Sequence, residues 1–241
     1  MQIIKVSNYQ EMSKVAGDIM LAQVKGKPDS VLGLATGSTP VGMYGHMAEA
    51  YGAGEVSFSQ CKSINLDEYM GLTADNEASY HYFMADNLFG HIDMKPENIH
   101  LPDGANKDSE AVCENYDQLI ADIGPIDLQV LGIGTNGHIA FNEPADYFEM
   151  GTHKVALTED TIEANKRFFE KKEDVPKEAY TMGIGSIFQA KHILLLVSGE
   201  GKAEALYESF KGKITPQVPA SILQLHSNVT VIADQAALSK F

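Results

Sequence analysis

This sequence is poor in positive charge. Lys and Arg number 18 against 33 Asp and Glu, a formal net charge of −15 over 241 residues. Only one of those cations is an arginine, Arg167. A chain this acidic lacks the basic footprint that nucleic acid or an anionic membrane surface requires, and neither partner is expected. A local phosphate site remains open, because backbone N–H groups and a few cations suffice to build one. Cysteine is also scarce. Cys61 and Cys113 make no disulfide framework and show no zinc spacing; one falls in an expected strand and one in an expected helix, so both read as buried thiols. There is no apolar run of 18 residues and no charged-then-apolar leader at the N-terminus, so a soluble cytoplasmic protein is expected. No repeat, linker or low-complexity tract interrupts the chain, whose length fits one large domain, residues 1–241, with at most a small appended lobe.

Several catalytic signatures are missing as well. The eight histidines include no His-Glu-x-x-His pattern, which weakens a metal reading. No Gly-x-Ser-x-Gly elbow is present. Gly33, Gly37 and Gly42 lack the dinucleotide-binding spacing, and no Gly-Lys-Ser/Thr follows them as a nucleotide P-loop would need.

What is present is an alternation of short apolar runs and helix-length amphipathic stretches. Ser7 and Gln10 suggest a capping box opening a helix that continues to about Lys25. Strand candidates follow at 30–36, Gln60–Leu66, Ile126–Ile133, Val155–Leu157, Lys191–Ser198 and Val229–Ala233. Helices are expected from Pro40 to Ala50, from Ser79 to Leu88, over 108–122, over Thr161–Phe169, and through Lys202, Leu206 and Phe210. This order predicts an open, mostly parallel α/β sheet with helices on both faces, Rossmann-like and three-layered. Such sheets collect their ligands outside the carboxyl ends of the strands.

Three strand-end segments can therefore meet in one cleft. Thr36-Gly37-Ser38-Thr39-Pro40 offers helix-start N–H groups, a permissive glycine and two hydroxyls, all suited to phosphate, although an ordinary strand-to-helix turn reads the same way. Arg167 and Lys202 are candidate cations for it, with surface charge the alternative. Asp67, just past a strand, can serve as a base toward a carbon-bound proton, or can cap a helix; Glu68 is its neighbour and competitor. His138 sits in the turn Gly134-Thr135-Asn136-Gly137-His138 and can carry protons near neutral pH. Glu143 lies five residues on and can orient the imidazole, with a loop or core histidine as the alternative.

Together with Arg167-Phe168-Phe169, Gly199-Glu200-Gly201-Lys202-Ala203 and Ser221-Ile222-Leu223-Gln224-Leu225-His226, these segments closely resemble the glucosamine-6-phosphate deaminase (isomerase) family along nearly the whole chain. The resemblance implies conversion of glucosamine 6-phosphate and water to fructose 6-phosphate and ammonia, without metal or organic cofactor. It implies ring opening by His138, oriented by Glu143 with Asn136 in the same catalytic group, and a C2-to-C1 proton transfer by Asp67. It places the phosphate with Gly37, Ser38, Thr39, Arg167 and Lys202. A 6-phosphogluconolactonase-like hydrolase and a non-catalytic sugar-phosphate-binding domain are the competing readings. Asp67 and Glu143 count against the first, and the joint presence of Asp67, His138 and Glu143 against the second.

Two departures from the family pattern stand out. Asn136 occupies a position that is aspartate in some members, which removes a negative charge beside His138 and leaves Glu143 the principal acidic partner. Where the long hexameric members bind an allosteric amino-sugar phosphate through a serine and basic residues, this chain reads Ala145-Asp146-Tyr147-Phe148-Glu149, with Asp146 at the serine. A monomer without such activation is expected, as in the short form of the family. Residues 145–180, of mixed polarity and carrying Pro176, are a possible lid.

Overall fold

The computed structural model describes all residues except Arg167, Phe168, Glu170, Lys172 and Glu173, and only the backbone of Asp160, Ala164 and Asn165. In its first half β1 (Gln2–Val6), α1 (Tyr9–Gly26), β2 (Val31–Leu34), α2 (Val41–Gly52), β3 (Lys62–Asn65), β4 (Asp67–Tyr69), α3 (Tyr80–Asn87) and β5 (Ile99–His100) follow in order. The second half runs α4 (Ser109–Ile123), β6 (Leu128–Leu131), β7 (His153–Ala156), α5 (Glu159–Asn165), β8 (Glu178–Thr181), α6 (Ile184–Phe188), β9 (Ile193–Val197), α7 (Ala203–Lys211) and β10 (Val229–Asp234). Among the described residues no helix is long and apolar enough to cross a membrane.

Seven strands form one sheet in the order β1-β10-β9-β6-β2-β3-β5, and its pairings are parallel. Helices flank this sheet, as the alternating pattern predicts. Every residue of β2, β6 and β9 is buried, and burial on both faces explains the unbroken apolar run Ile193-Leu194-Leu195-Leu196-Val197 of β9. A second, antiparallel sheet of three strands, β4-β8-β7, has no counterpart in the expected architecture. Only Leu66 separates β3 from β4, so the chain passes from one sheet into the other there, and Asp67 pairs with Thr181. This junction governs the site, because it fixes Asp67 from both sides. Tyr69, Phe141, Leu157 and Ile162 form a small apolar cluster of their own beside the second sheet.

Local signals shift a few boundaries. The cap of α1 is Asn8, whose Oδ1 accepts from the Glu11 N–H at 3.0 Å, while the Glu11 carboxylate reaches back to the Ser7 N–H at 2.6 Å. Ser7 and Gln10 therefore do not form the box; the same reciprocal logic operates one residue later. Thr158 caps α5, which begins at Glu159 rather than Thr161 and ends at Asn165. Cys61 is buried and Cys113 half-buried, and both are free thiols.

Candidate active site

The carboxyl ends of β2, β3 and β6 open onto a cavity of about 200 Å³ whose wall includes Gly37, Ser38, Thr39, Asp67, His138 and Lys202. Three distant segments thus meet as the topology requires. Gly37 holds φ at +89°, the left-handed conformation that turns β2 toward α2, and a Cβ there would meet nothing within 4 Å. Glycine is needed at this point for conformation, not for space. The turn is braced from α1: the Tyr9 hydroxyl donates to the Ser38 carbonyl at 2.9 Å and accepts from the Gly42 N–H at 3.0 Å. Lys202 arrives from the other end of the chain. Asp234 anchors its turn by accepting from the Ser198 hydroxyl at 2.6 Å and the Gly199 N–H at 3.0 Å. Arg167, the other expected cation, lies outside the described residues.

Asp67 is 6% exposed. Burial, reinforced by the charge of Glu68 and only partly offset by a hydrogen bond from the Thr36 hydroxyl, pushes its carboxyl up to about 8. The phenols of Tyr44, Tyr80 and Tyr116 lie within electrostatic reach of it. Burial drives all three well above the ordinary tyrosine range, so they stay protonated and bring no charge of their own. Glu68 is not a second base. It points away and accepts from the N–H groups of Tyr80 (2.9 Å) and His81 (3.0 Å), serving the N-terminus of α3.

His138 depends on its loop. The Gly134 N–H donates to the His138 carbonyl at 2.9 Å, and the imidazole lies so close over Gly134 that a Cβ there would sit 2.3 Å from the ring. Two further bends need unusual backbone, Gly137 at φ +86° and Ala140 at φ +52°. Asn142 ties the loop down by donating to the carbonyls of Ile139 (3.0 Å) and Met182 (2.9 Å). Glu143 Oε2 stands 3.3 Å from His138 Nδ1, near enough for an ion pair, yet the ring nitrogen has no aligned hydrogen-bond acceptor. The same Oε2 accepts from Asn136 Nδ2 at 2.7 Å, and Asn136 Oδ1 accepts from the His138 N–H at 3.1 Å. On the other oxygen, Oε1, Glu143 accepts from the hydroxyls of Thr158 (3.2 Å) and Thr161. Burial alone would raise this carboxyl; His138, Thr161 and Asn136 more than offset that and hold it at about 2. An imidazole beside an ionised acid, on the same cavity wall as a buried carboxyl raised to about 8, can shuttle protons at two positions of one bound molecule.

Sequence reasoning grouped Asp67, His138, Glu143, Ser38 and Lys202; the fold sets Asp67, His138, Ser38 and Lys202 on one cavity wall and Glu143 3.3 Å from the His138 ring, lining a neighbouring hollow. It missed Tyr9, Thr158 and Thr161. Thr158 carries a readable signal, an N-cap residue ahead of the acidic pair Glu159-Asp160. Among the described residues no three His, Cys, Asp or Glu side chains are grouped to hold a metal ion.

The sequence profile of the glucosamine-6-phosphate isomerases/6-phosphogluconolactonase family matches residues 9–232. The chain belongs to this family. One member, the glucosamine-6-phosphate deaminase of Thermoanaerobacter sp. (strain X514), is 55% identical over 239 residues, 99% of this chain and 94% of its own. The glucosamine-6-phosphate deaminase of Clostridioides difficile (strain 630) is 55% identical over 240 residues, covering 100% of this chain and 96% of its own. A solved monomeric glucosamine-6-phosphate deaminase superposes with a TM-score of 0.97 at 47% identity over 99% of each chain. The 6-phosphogluconolactonase of Thermotoga maritima reaches a TM-score of 0.76 at 20% identity over 97% of this chain and 99% of its own, a likeness of fold alone.

Proposed function

We propose that this chain is a glucosamine-6-phosphate deaminase, converting glucosamine 6-phosphate and water to fructose 6-phosphate and ammonia. The observation that carries this reading is the sharing of one cavity by Asp67, His138 and the 36–40 turn, on a chain 55% identical to deaminases over nearly its full length. Phosphate is held by the Gly37, Ser38 and Thr39 segment, Lys202 and Arg167, so that binding energy remote from the reaction fixes the sugar carbons. His138 takes the proton of the anomeric hydroxyl and returns one to the ring oxygen, opening the pyranose; Glu143 stabilises the charged imidazole. Asn136 positions this pair through its amide. Asp67 then removes the C2 proton while one ammonium proton passes to the C1 oxygen, giving an enolamine, and delivers its proton to C1, giving an iminium at C2. Water adds to C2 and ammonia leaves. The substrate's ammonium, arriving beside Asp67, favours the ionised carboxylate that the empty site disfavours. Lactone hydrolysis involves no carbon-to-carbon proton transfer and would leave Asp67 without a task.

The enzyme acts as a single-domain monomer on a phosphorylated amino sugar, with no metal or organic cofactor. Residues 145–180 form its lid, a reading supported by Thr161 on the cavity wall. A charged phosphosugar stays in the compartment where it is made, which supports the cytoplasm as the place of action. The test is an assay for fructose 6-phosphate and ammonia from glucosamine 6-phosphate, with Asp67→Asn as control. Equal release of both products, lost in a folded Asp67→Asn variant, is expected; a folded wild-type protein that leaves this substrate unchanged would overturn the reading.

A further inference from the structure

The Glu143 side chain is only 8% exposed, and a carboxylate so enclosed takes up the orientation its hydrogen-bond donors impose. Those donors are unevenly placed. Asn136 Nδ2 holds Oε2, the hydroxyls of Thr158 and Thr161 hold Oε1, and His138 Nδ1, though 3.3 Å from Oε2, is out of line for a hydrogen bond. The aligned hydrogen bonds on this carboxylate thus come from groups other than the imidazole it faces.

The two threonines differ in what they can give. A hydroxyl has one proton to donate. Thr158 Oγ1 accepts the Thr161 N–H at 3.3 Å as the cap of α5, and its proton is shared between Thr161 Oγ1 at 3.1 Å and Glu143 Oε1 at 3.2 Å. Thr161 Oγ1 makes the closer approach to Glu143 and is the committed donor. Thr161 is 5% exposed and also stands on the cavity wall, so whatever fills the cavity presses on the residue that aims the carboxylate.

We infer that Thr161 is a positioning residue, its hydroxyl fixing Oε1 so that Oε2 faces His138 Nδ1 and thereby linking the placement of α5 to the orientation of the imidazole. This rests on the reading of His138 and Glu143 as the ring-opening pair. Catalytic hydrogen bonds that are misaligned in an empty site commonly tighten when substrate is bound. A small movement of α5 toward the ligand would turn the carboxylate about its Asn136 bond and bring Oε2 into line with Nδ1.

The experiment compares wild type, Thr161→Val, Thr161→Ala and Thr161→Ser by steady-state kinetics across pH and by NMR titration of the His138 ring. For Val and Ala, kcat is expected to fall about tenfold with KM within about twofold, the loss of one charge-assisted bond felt mainly in the transition state. The His138-dependent limb of the kcat profile changes shape, and Ser restores it. Unchanged kcat and profile in a folded variant would overturn the inference, as would a rise in KM at constant kcat, the mark of direct substrate contact. Should wild type not turn over glucosamine 6-phosphate, the function proposed above fails. The ring titration then decides the inference alone: identical His138 titration in wild type, Val and Ala overturns it.

Discussion

Asp67 on the cavity wall and Glu143 beside His138 are driven in opposite directions, to about 8 and about 2. The difference lies in their neighbours. Asp67 has an adjacent like charge and one hydroxyl donor, whereas Glu143 has an imidazole, an amide and two hydroxyls. Each makes its own prediction for stability. Asp67 binds its proton more tightly folded than unfolded, so wild-type stability falls as pH rises from about 4 through about 8. Asp67→Asn removes that cost, and its melting temperature should exceed that of wild type by a margin that grows from pH 5 to pH 8.5, while turnover is lost. A constant margin would place the carboxyl's titration outside this window. For Glu143 the sign reverses: its contribution is present above about 4.5 and is lost as pH falls toward about 2, worth at most about 3 kcal/mol. Glu143→Gln should therefore show its full stability deficit at neutral pH and a shrinking one in acid, and should alter the His138-dependent limb of the rate profile. If that limb is untouched, Glu143 is not the partner of His138. These residues were legible because strand-end acids and glycine-flanked histidines are rare patterns. Thr161 was not, because its role exists only through a contact with Glu143 across 18 residues of sequence.

At the level of elements, the site is held by parts that never touch its cavity. Glu68 accepts N–H groups at the start of α3 and at the same time raises the neighbouring carboxyl of Asp67. Glu68→Gln should thus act twice: a loss of stability of about 1–3 kcal/mol from the weakened cap, and a shift of the Asp67-dependent limb of kcat/KM toward acid. Denaturant unfolding and a pH–rate profile separate the two, and a stability loss with an unmoved limb would show that the Glu68 charge does not reach the base. Tyr9 supports the 36–40 turn from α1 in a similar way. Tyr9→Phe leaves the Gly42 N–H without its acceptor and the Ser38 carbonyl without its donor. KM should rise about three- to tenfold with kcat nearly kept, on the proposal that the turn holds the phosphate and not the reacting carbons; a fall in kcat at constant KM would refute that division. The long strands and helices could be read from periodicity and caps. β4 and β8 could not: three and four residues long, they depend on pairing, β4 with β8 across more than 100 residues and β8 also with β7, and no local pattern records such partners.

For the whole molecule, the question is whether a second phosphosugar controls the first. Beside the Asn142-Glu143-Pro144 turn lies a second hollow, about 300 Å³, whose wall carries Tyr147, Glu149, His153 and Lys154. Its lysine is already engaged, with Nζ 3.0 Å from the Glu178 carboxylate. Ala145, on the same wall, is held through its backbone, with its N–H donating to the Pro216 carbonyl at 3.1 Å and the Gln217 side-chain amide donating to its carbonyl at 2.7 Å. Glu143 and Glu149 on this wall put negative charge where a phosphate would have to settle, with Asp146 adjacent in sequence, on a chain whose net charge is already −15. A dianion here would meet two carboxylates and would have to compete with Glu178 for the one lysine on the wall, so charge disfavours its binding. N-acetylglucosamine 6-phosphate should accordingly leave the rate at low substrate unchanged or lower it by occupying the substrate cavity, and the substrate dependence should be hyperbolic. Sedimentation should give a species of 26.2 kDa with specific activity independent of protein concentration. A saturable rise in rate with the acetylated sugar, accompanied by a larger sedimenting species, would mean that assembly supplies the cations this hollow lacks.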